Sequence, residues 1–437
     1  MGRKSGSHSQ AFASKGKTFH HAAASHCYDF SLKRPRGLGA EVNFVFVSPQ
    51  FPSGYWQFCD RLGRQGVRVL GIGDTPYDQL DQRLRNSLAE YYYTPSLEDY
   101  DAVFRAVAFF SYKYGKVDWI ESNNEYWLEL DARLRTDFNV TTGPGIEEVA
   151  RLRSKACMKP LYAAAGIPSA RQERVTTLAA ARRFSLEVGF PLFAKPEVGM
   201  GADGAHKICD EAELAAFLSP APQRPYVIEE FVPGDIVSYD AILDSHSNPL
   251  FENMEEFPPS MADVAESRLD LAYWCRPRVD PRLRSLGRAA AVSFGLRSRF
   301  VHMEFFRLSQ SRPGLGEAGD YVGLEVNIRP PGGHTPDMMD FAHSTDVYQI
   351  WADMVCHDRR LVPRSGHACY CVYAGRRKGR RYAHSDGEIR ARFGDAIRMS
   401  GPVPSAIADE MCDYSYTATF STARGRDSFV RYVQRLS

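Results

Sequence analysis

The sequence predicts an α/β protein: a parallel N-terminal sheet followed by α+β segments built on antiparallel strands. Three observations carry that prediction. VNFVFV (42–47) and VRVLGIG (67–73) flank a loop and a helix-like stretch, and this β–loop–α–β order argues a parallel sheet. IVSYDAIL (236–243) alternates as an antiparallel strand does. EVGMGADG (197–204) lies between two strand-like runs and opens no helix, so its glycines form a hairpin-like flap.

The elements follow in order. Residues 1–41 are rich in Ser, His, Lys and Arg and are expected to be a disordered basic extension. Residues 42–145 make an N-terminal α/β domain, with Asp118–Glu121 a third strand and TTGPG its close. Residues 146–225 make a small central subdomain. It holds one helix from about Ile146 to Ala165, the strand PLFAKP, the flap, the strand HKIC and a helix over 210–219. Residues 226–360 hold the strands YVIEEFV and IVSYDAIL, a helix over 281–295, and the paired strands FVHMEFFRL and YVGLEVNIR. From about Val362 onward, short strands and one helix form a C-terminal α+β extension, 361–437.

Composition sets the outer bounds. The 437 residues are 44 % hydrophobic and 24 % charged, which supports a large core and roughly two to four domains. A net charge of +1 gives no reason to expect a nucleic-acid or membrane partner, and no apolar run is long enough to span a bilayer. Nine scattered cysteines fit reduced thiols in a cytoplasmic protein. The basic run GRRKGRRY (375–382) is short and reads as a solvated hairpin, since phosphate binding needs a wider basic face. The oligomeric state stays open; dimers are the commonest soluble assembly.

The chemistry concentrates in HMEFF (302–306) and GLEVNIRPPGG (323–333). Strand alternation puts Glu325, Asn327 and Arg329 on one face. Carboxylates and a side-chain carbonyl are the hard oxygen ligands that Mg²⁺ prefers, and Arg329 can steady a developing anion beside it. Glu304 sits between Met303 and Phe305, where an unpaired charge is costly to bury and a metal supplies a partner. Lys159, four residues after Lys155 on one helix, reads as a surface residue. Glu121, Asn123, Asn124, Glu125, Asp131 and Arg133, with Trp119, Tyr126 and Trp127 among them, form a polar cluster, either a substrate contact or a wet helix face.

Five ordered pieces, SKACMKPLYAAAGIP, LFAKPEVGMGADG, YVIEEFVPG, HMEFF and LEVNIRPPGG, resemble the ATP-grasp superfamily over roughly residues 42–360. The resemblance implies a pre-ATP-grasp domain followed by two α+β subdomains that clasp ATP. It implies that Lys155 and Lys195 face the ATP phosphates, with Lys195 on the α and β phosphates. Gly199, Gly201 and Gly204 would let the flap backbone approach phosphate oxygens. Glu229, Glu230, Phe231 and Val232 would form the hinge that receives adenine, and Asp235 would bind ribose hydroxyls. Glu304, Glu325 and Asn327 would hold Mg²⁺, two ions in all, with Mn²⁺ as an alternative, and Arg329 would stabilise the acyl phosphate.

The implied activity is an ADP-forming carbon–nitrogen ligase. It activates a small-molecule carboxylate as an acyl phosphate for attack by an amine such as an amino acid. The alternatives are bicarbonate or carboxylate phosphorylation of the biotin-carboxylase or carbamoyl-phosphate-synthase kind, and a non-catalytic nucleotide-binding regulator. PPGGH after Arg329 weakens the first alternative, because biotin carboxylases continue differently there.

Overall fold

The computed structural model describes residues 42–199, 204–219, 222–258 and 269–437. The expected disordered extension, 1–41, lies outside them. Three sheets organise the rest. The first is parallel, in the order β3-β2-β1-β4, from β1 (Asn43–Val47), β2 (Arg68–Gly73), β3 (Glu90–Tyr93) and β4 (Trp119–Glu121). Every residue of β1 is buried, as a central parallel strand covered on both faces requires. The helix Trp56–Arg64 closes one face by setting Phe58 against Trp351, ring centroids 4.9 Å apart. β3 escapes the sequence reading because EYYY is short and only partly buried.

The second sheet is antiparallel, β5-β8-β6-β7, from β5 (Gln172–Arg174), β6 (Leu192–Pro196), β7 (His206–Ile208) and β8 (Tyr226–Glu230). β6 and β7 pair as the hairpin expected of the flap. β8 pairs with both β5 and β6, so a boundary drawn at 225 cuts through this sheet.

The third sheet has eight strands in the order β13-β12-β9-β10-β11-β14-β16-β15. They are β9 (Gly234–Leu243), β10 (Pro249–Phe257), β11 (Ala272–Cys275), β12 (Arg299–Leu308), β13 (Tyr321–Asn327), β14 (Tyr370–Arg376), β15 (Ile397–Pro402) and β16 (Tyr414–Phe420). Its last three strands come from the segment read as a separate extension. That segment carries three helices, Asp386–Phe393, Ala408–Met411 and Ala423–Val433, where one was expected. Tyr273, Cys371 and Tyr373 share one core with Trp351.

The helix read over 146–165 is two helices, Ile146–Arg153 and Lys155–Ala164. Ser154 separates them: its backbone is extended and its hydroxyl accepts from the Cys157 N–H as an N-cap. The second helix lies tightly on β13. A Cβ at Gly323 would stand 2.6 Å from the Tyr162 ring, so only glycine permits that approach. No described helix is long and apolar enough to cross a membrane.

Candidate active site

β12 and β13 set Glu304 directly opposite Glu325 across an antiparallel ladder, and His302 opposite Asn327. Both glutamates are half-buried. Like charges in facing positions repel, so the pair needs a cation. The helix Lys155–Ala164 supplies one at its first residue: Lys155 Nζ lies 3.1 Å from Glu325 Oε1. Burial drives the Glu325 carboxyl up, Lys155 pulls it back, and Glu304 leaves it net above its usual value. Burial also pushes Glu304 up, but His302, with Nε2 at 3.2 Å from Oε1, outweighs that and holds it below. His302 is in turn bonded through Nδ1 to Asp240 Oδ1 at 2.6 Å. Burial alone would lower the His302 value, yet these two carboxylates raise it to about 10.

The flap side contributes a second charged knot. Lys195, next to last in β6, is buried, with Nζ at 2.7 Å from Glu229 Oε2. Lys159 Nζ approaches Glu229 Oε1 at 2.7 Å. Lys159 is therefore half-buried against a carboxylate, contrary to its reading as a surface residue, because one helical turn carries it down the same face as Lys155. Burial opposes the Glu229 charge, but the two ammonium groups bring its carboxyl down to about 2.

The other hinge positions sit apart from this knot. Glu230 points to the opposite face of β8 and takes a bidentate Arg171, at 3.1 and 2.8 Å. Phe231 lies under Lys207, 4.8 Å from the ring centre, and Val232 is buried. Asp235 is exposed and pairs with Arg307 at 3.2 Å. Gly199 lines a cleft with Glu125, Arg153, Met158, Glu325 and Asn327, so the flap and β13 face one space. Gly204 has φ +69°, which glycine adopts without strain. Gly201 lies outside the described residues.

Arg329 reaches the N-terminal layer. Its Nε donates to Glu125 Oε2 at 3.2 Å, and Arg153 Nε lies 3.5 Å from the other oxygen. The rest of that polar cluster splits. Asp131 accepts from the Ser122 N–H, and Glu121 pairs with Arg299 at 2.8 Å and Arg135 at 3.4 Å. In the basic run, Arg377 is buried and donates to the Leu269, Ala408 and Asp409 carbonyls, so this part of the hairpin is not solvated. One contact had no sequence signal. Asp240 and His302 meet only across strands, and nothing in the spacing of 240 and 302 shows it.

Glu304, Glu325 and Asn327 offer hard oxygen donors, and the two carboxylates face each other with Lys155 and His302 in contact as counter-charges. That donor set fits a divalent cation such as Mg²⁺. Lys155 and Lys195 fit the phosphates of a nucleotide beside it.

No family model matches the chain. The L-amino acid ligase of Bacillus licheniformis superposes on 91 % of this chain and 98 % of its own, with TM-score 0.66 and 13 % identity. The biotin carboxylase domain of the Hydrogenobacter thermophilus 2-oxoglutarate carboxylase, solved with MgADP and bicarbonate, covers 91 % and 90 %, with TM-score 0.63 and 14 % identity. Among curated relatives, the carbamoyl phosphate synthase large chain of Streptomyces griseus is 26 % identical over 137 residues, 30 % of this chain and 12 % of its own. The chain thus matches about an eighth of that relative's length. An uncharacterised protein of Sinorhizobium fredii is 35 % identical over 248 residues, 52 % of this chain and 46 % of its own. The chain has the ATP-grasp fold.

Proposed function

We propose that the chain is an ATP-dependent, ADP-forming ligase that joins a small-molecule carboxylate to an amine. One observation carries the reading: Glu304 and Glu325 face each other, with Lys155 on Glu325 and the flap glycine Gly199 lining the same cleft. Lys155 and Lys195 bind and orient the triphosphate. Glu304, Glu325 and Asn327 hold Mg²⁺, which when bound neutralises charge on the transferring phosphoryl group. The substrate carboxylate attacks the γ-phosphorus and ADP leaves, giving an acyl phosphate. The amine then attacks the acyl carbon, the acyl C–O bond breaks with its electron pair leaving on inorganic phosphate, and the nitrogen gives up one proton to phosphate or water. Arg329 stands beyond Asn327 and stabilises the anion that develops on the acyl phosphate. Glu229 keeps both flap-side lysines in place.

The test is incubation with ATP, Mg²⁺ and pooled carboxylates and amines, followed by mass spectrometry. The reading expects ADP, phosphate and a new amide mass. AMP with pyrophosphate would overturn the acyl-phosphate route. ADP release that depends on bicarbonate and yields no amide would favour the carbamoyl-phosphate-synthase kind of chemistry, to which the Streptomyces griseus match points.

A further inference from the structure

Two rows of polar residues cross the face of the eight-stranded sheet that carries Glu304. One row pairs Glu325, Glu304, Ser238, Glu255 and Cys275 through β13, β12, β9, β10 and β11. The next, two residues along, pairs Asn327, His302, Asp240 and Asn253. Asp240, Asn253 and Glu255 are fully buried and His302 nearly so. Polar groups in such a place are tolerated when bonded, and here the bonds form one continuous network that converges on Asp240. His343 Nε2 meets Asn253 Oδ1 at 2.8 Å. Asn253 Nδ2 donates to Asp240 Oδ2 at 2.9 Å, and Ser238 Oγ donates to the same oxygen at 2.9 Å. Asp240 Oδ1 holds His302 Nδ1 at 2.6 Å, and His302 Nε2 reaches Glu304 Oε1 at 3.2 Å.

We infer that His302, anchored by Asp240, is a positioning residue that aims the Glu304 carboxylate at its metal ion. The inference rests on the proposed nucleotide and metal site and adds to it the groups that orient one ligand. A glutamate on a strand has three side-chain torsions and would sample many orientations beside Glu325. Asp240 fixes the plane of the imidazole ring through Nδ1. The ring, being rigid, fixes where Nε2 points, and that nitrogen fixes Glu304. Ligating carboxylates are commonly held by such outer partners, whose loss weakens metal affinity about 10- to 100-fold.

The test is Mn²⁺ titration by electron paramagnetic resonance on the whole chain with ADP present. His302→Asn places an amide where Nδ1 was, keeps the Asp240 contact and gives up the reach to Glu304. His302→Gln places an amide where Nε2 was and keeps that reach. The expected result is Mn²⁺ affinity about 10- to 100-fold weaker for His302→Asn and a smaller loss for His302→Gln, which keeps the reach to Glu304 but gives up the Asp240 anchor. ADP affinity without metal stays unchanged in both, which a general structural loss would not allow. Asp240→Asn leaves the ring a neutral, weaker anchor instead, weakens Mn²⁺ less than His302→Asn does but measurably, and decides the matter if His302→Asn does not fold. Equal Mn²⁺ affinity in all the chains, or a loss in His302→Gln as large as in His302→Asn, overturns the inference and leaves the site reading intact. A parent chain that takes up no Mn²⁺ with ADP overturns both.

Discussion

Glu325 stands at the balance point of the site. Its carboxyl is pushed up by burial and by Glu304 more than Lys155 lowers it, so its charge is unfavourable where it sits. A neutral isostere therefore costs little stability while removing a metal donor. Glu325→Gln is expected to hold its unfolding midpoint within about 3 °C and to lose turnover on the order of a hundredfold. Thermal melts and ADP release measure the two; equal losses in both would mean a structural role alone. Glu229 behaves oppositely. Its carboxyl lies at about 2, below the ordinary 4.5, so its ionisation stabilises the fold above about pH 4.5 and that contribution is lost as pH falls toward 2. The contribution is roughly 3 kcal/mol. Glu229→Gln strands two buried ammonium groups and is expected to cost about 3–5 kcal/mol at pH 7. Urea midpoints at pH 7 and pH 3 should converge in that variant and diverge in the parent.

The break at Ser154 shows how an element serves the site. Its hydroxyl caps the helix Lys155–Ala164 and donates to Glu197 Oε1 at 2.6 Å, while the Lys155 N–H donates to the Glu197 carbonyl at 3.0 Å. The first turn of that helix is thereby tied to the residue after β6, between the two lysines. Ser154→Ala is expected to cost about 1 kcal/mol of stability and to raise the KM for ATP more than it lowers kcat. An unchanged KM would separate the cap from nucleotide binding. Much of this scale was legible in the sequence. Period-two alternation gave β9, the short apolar run VNFVFV gave β1, and β2, β6, β12 and β13 also read as strands. The apolar spacing over 146–165 continues through Ser154, so one polar residue gave no warning of two helices. Residues 249–257 mix acids with apolar side chains because one polar row belongs inside, so β10 carries no strand signal.

At the scale of the molecule, the chain after 360 completes a sheet instead of decorating it. β14 pairs along the whole of β11, Tyr273 stacks on Tyr373 at 5.0 Å, and Cys275 lies opposite Cys371. A chain ended after residue 360 would bare that edge and its apolar core. It is expected to aggregate, judged by size-exclusion chromatography and far-UV circular dichroism; a monodisperse, folded fragment would contradict the role given to these strands. This dependence could not be read ahead, because β14 joins β11 across some hundred residues of sequence and pairing at that distance leaves no local trace.

Arg299 links the scales. Buried at the start of β12, it donates from Nη2 to Glu121 on β4 at 2.8 Å and from Nη1 to the Ile328 carbonyl at 2.9 Å. One rigid guanidinium thus braces the parallel layer against the peptide just ahead of Arg329. A lesion in that layer, such as Glu121→Gln, should surface as slower catalysis at saturating ATP while the KM for ATP stays put, so that screening for binding defects alone would miss it.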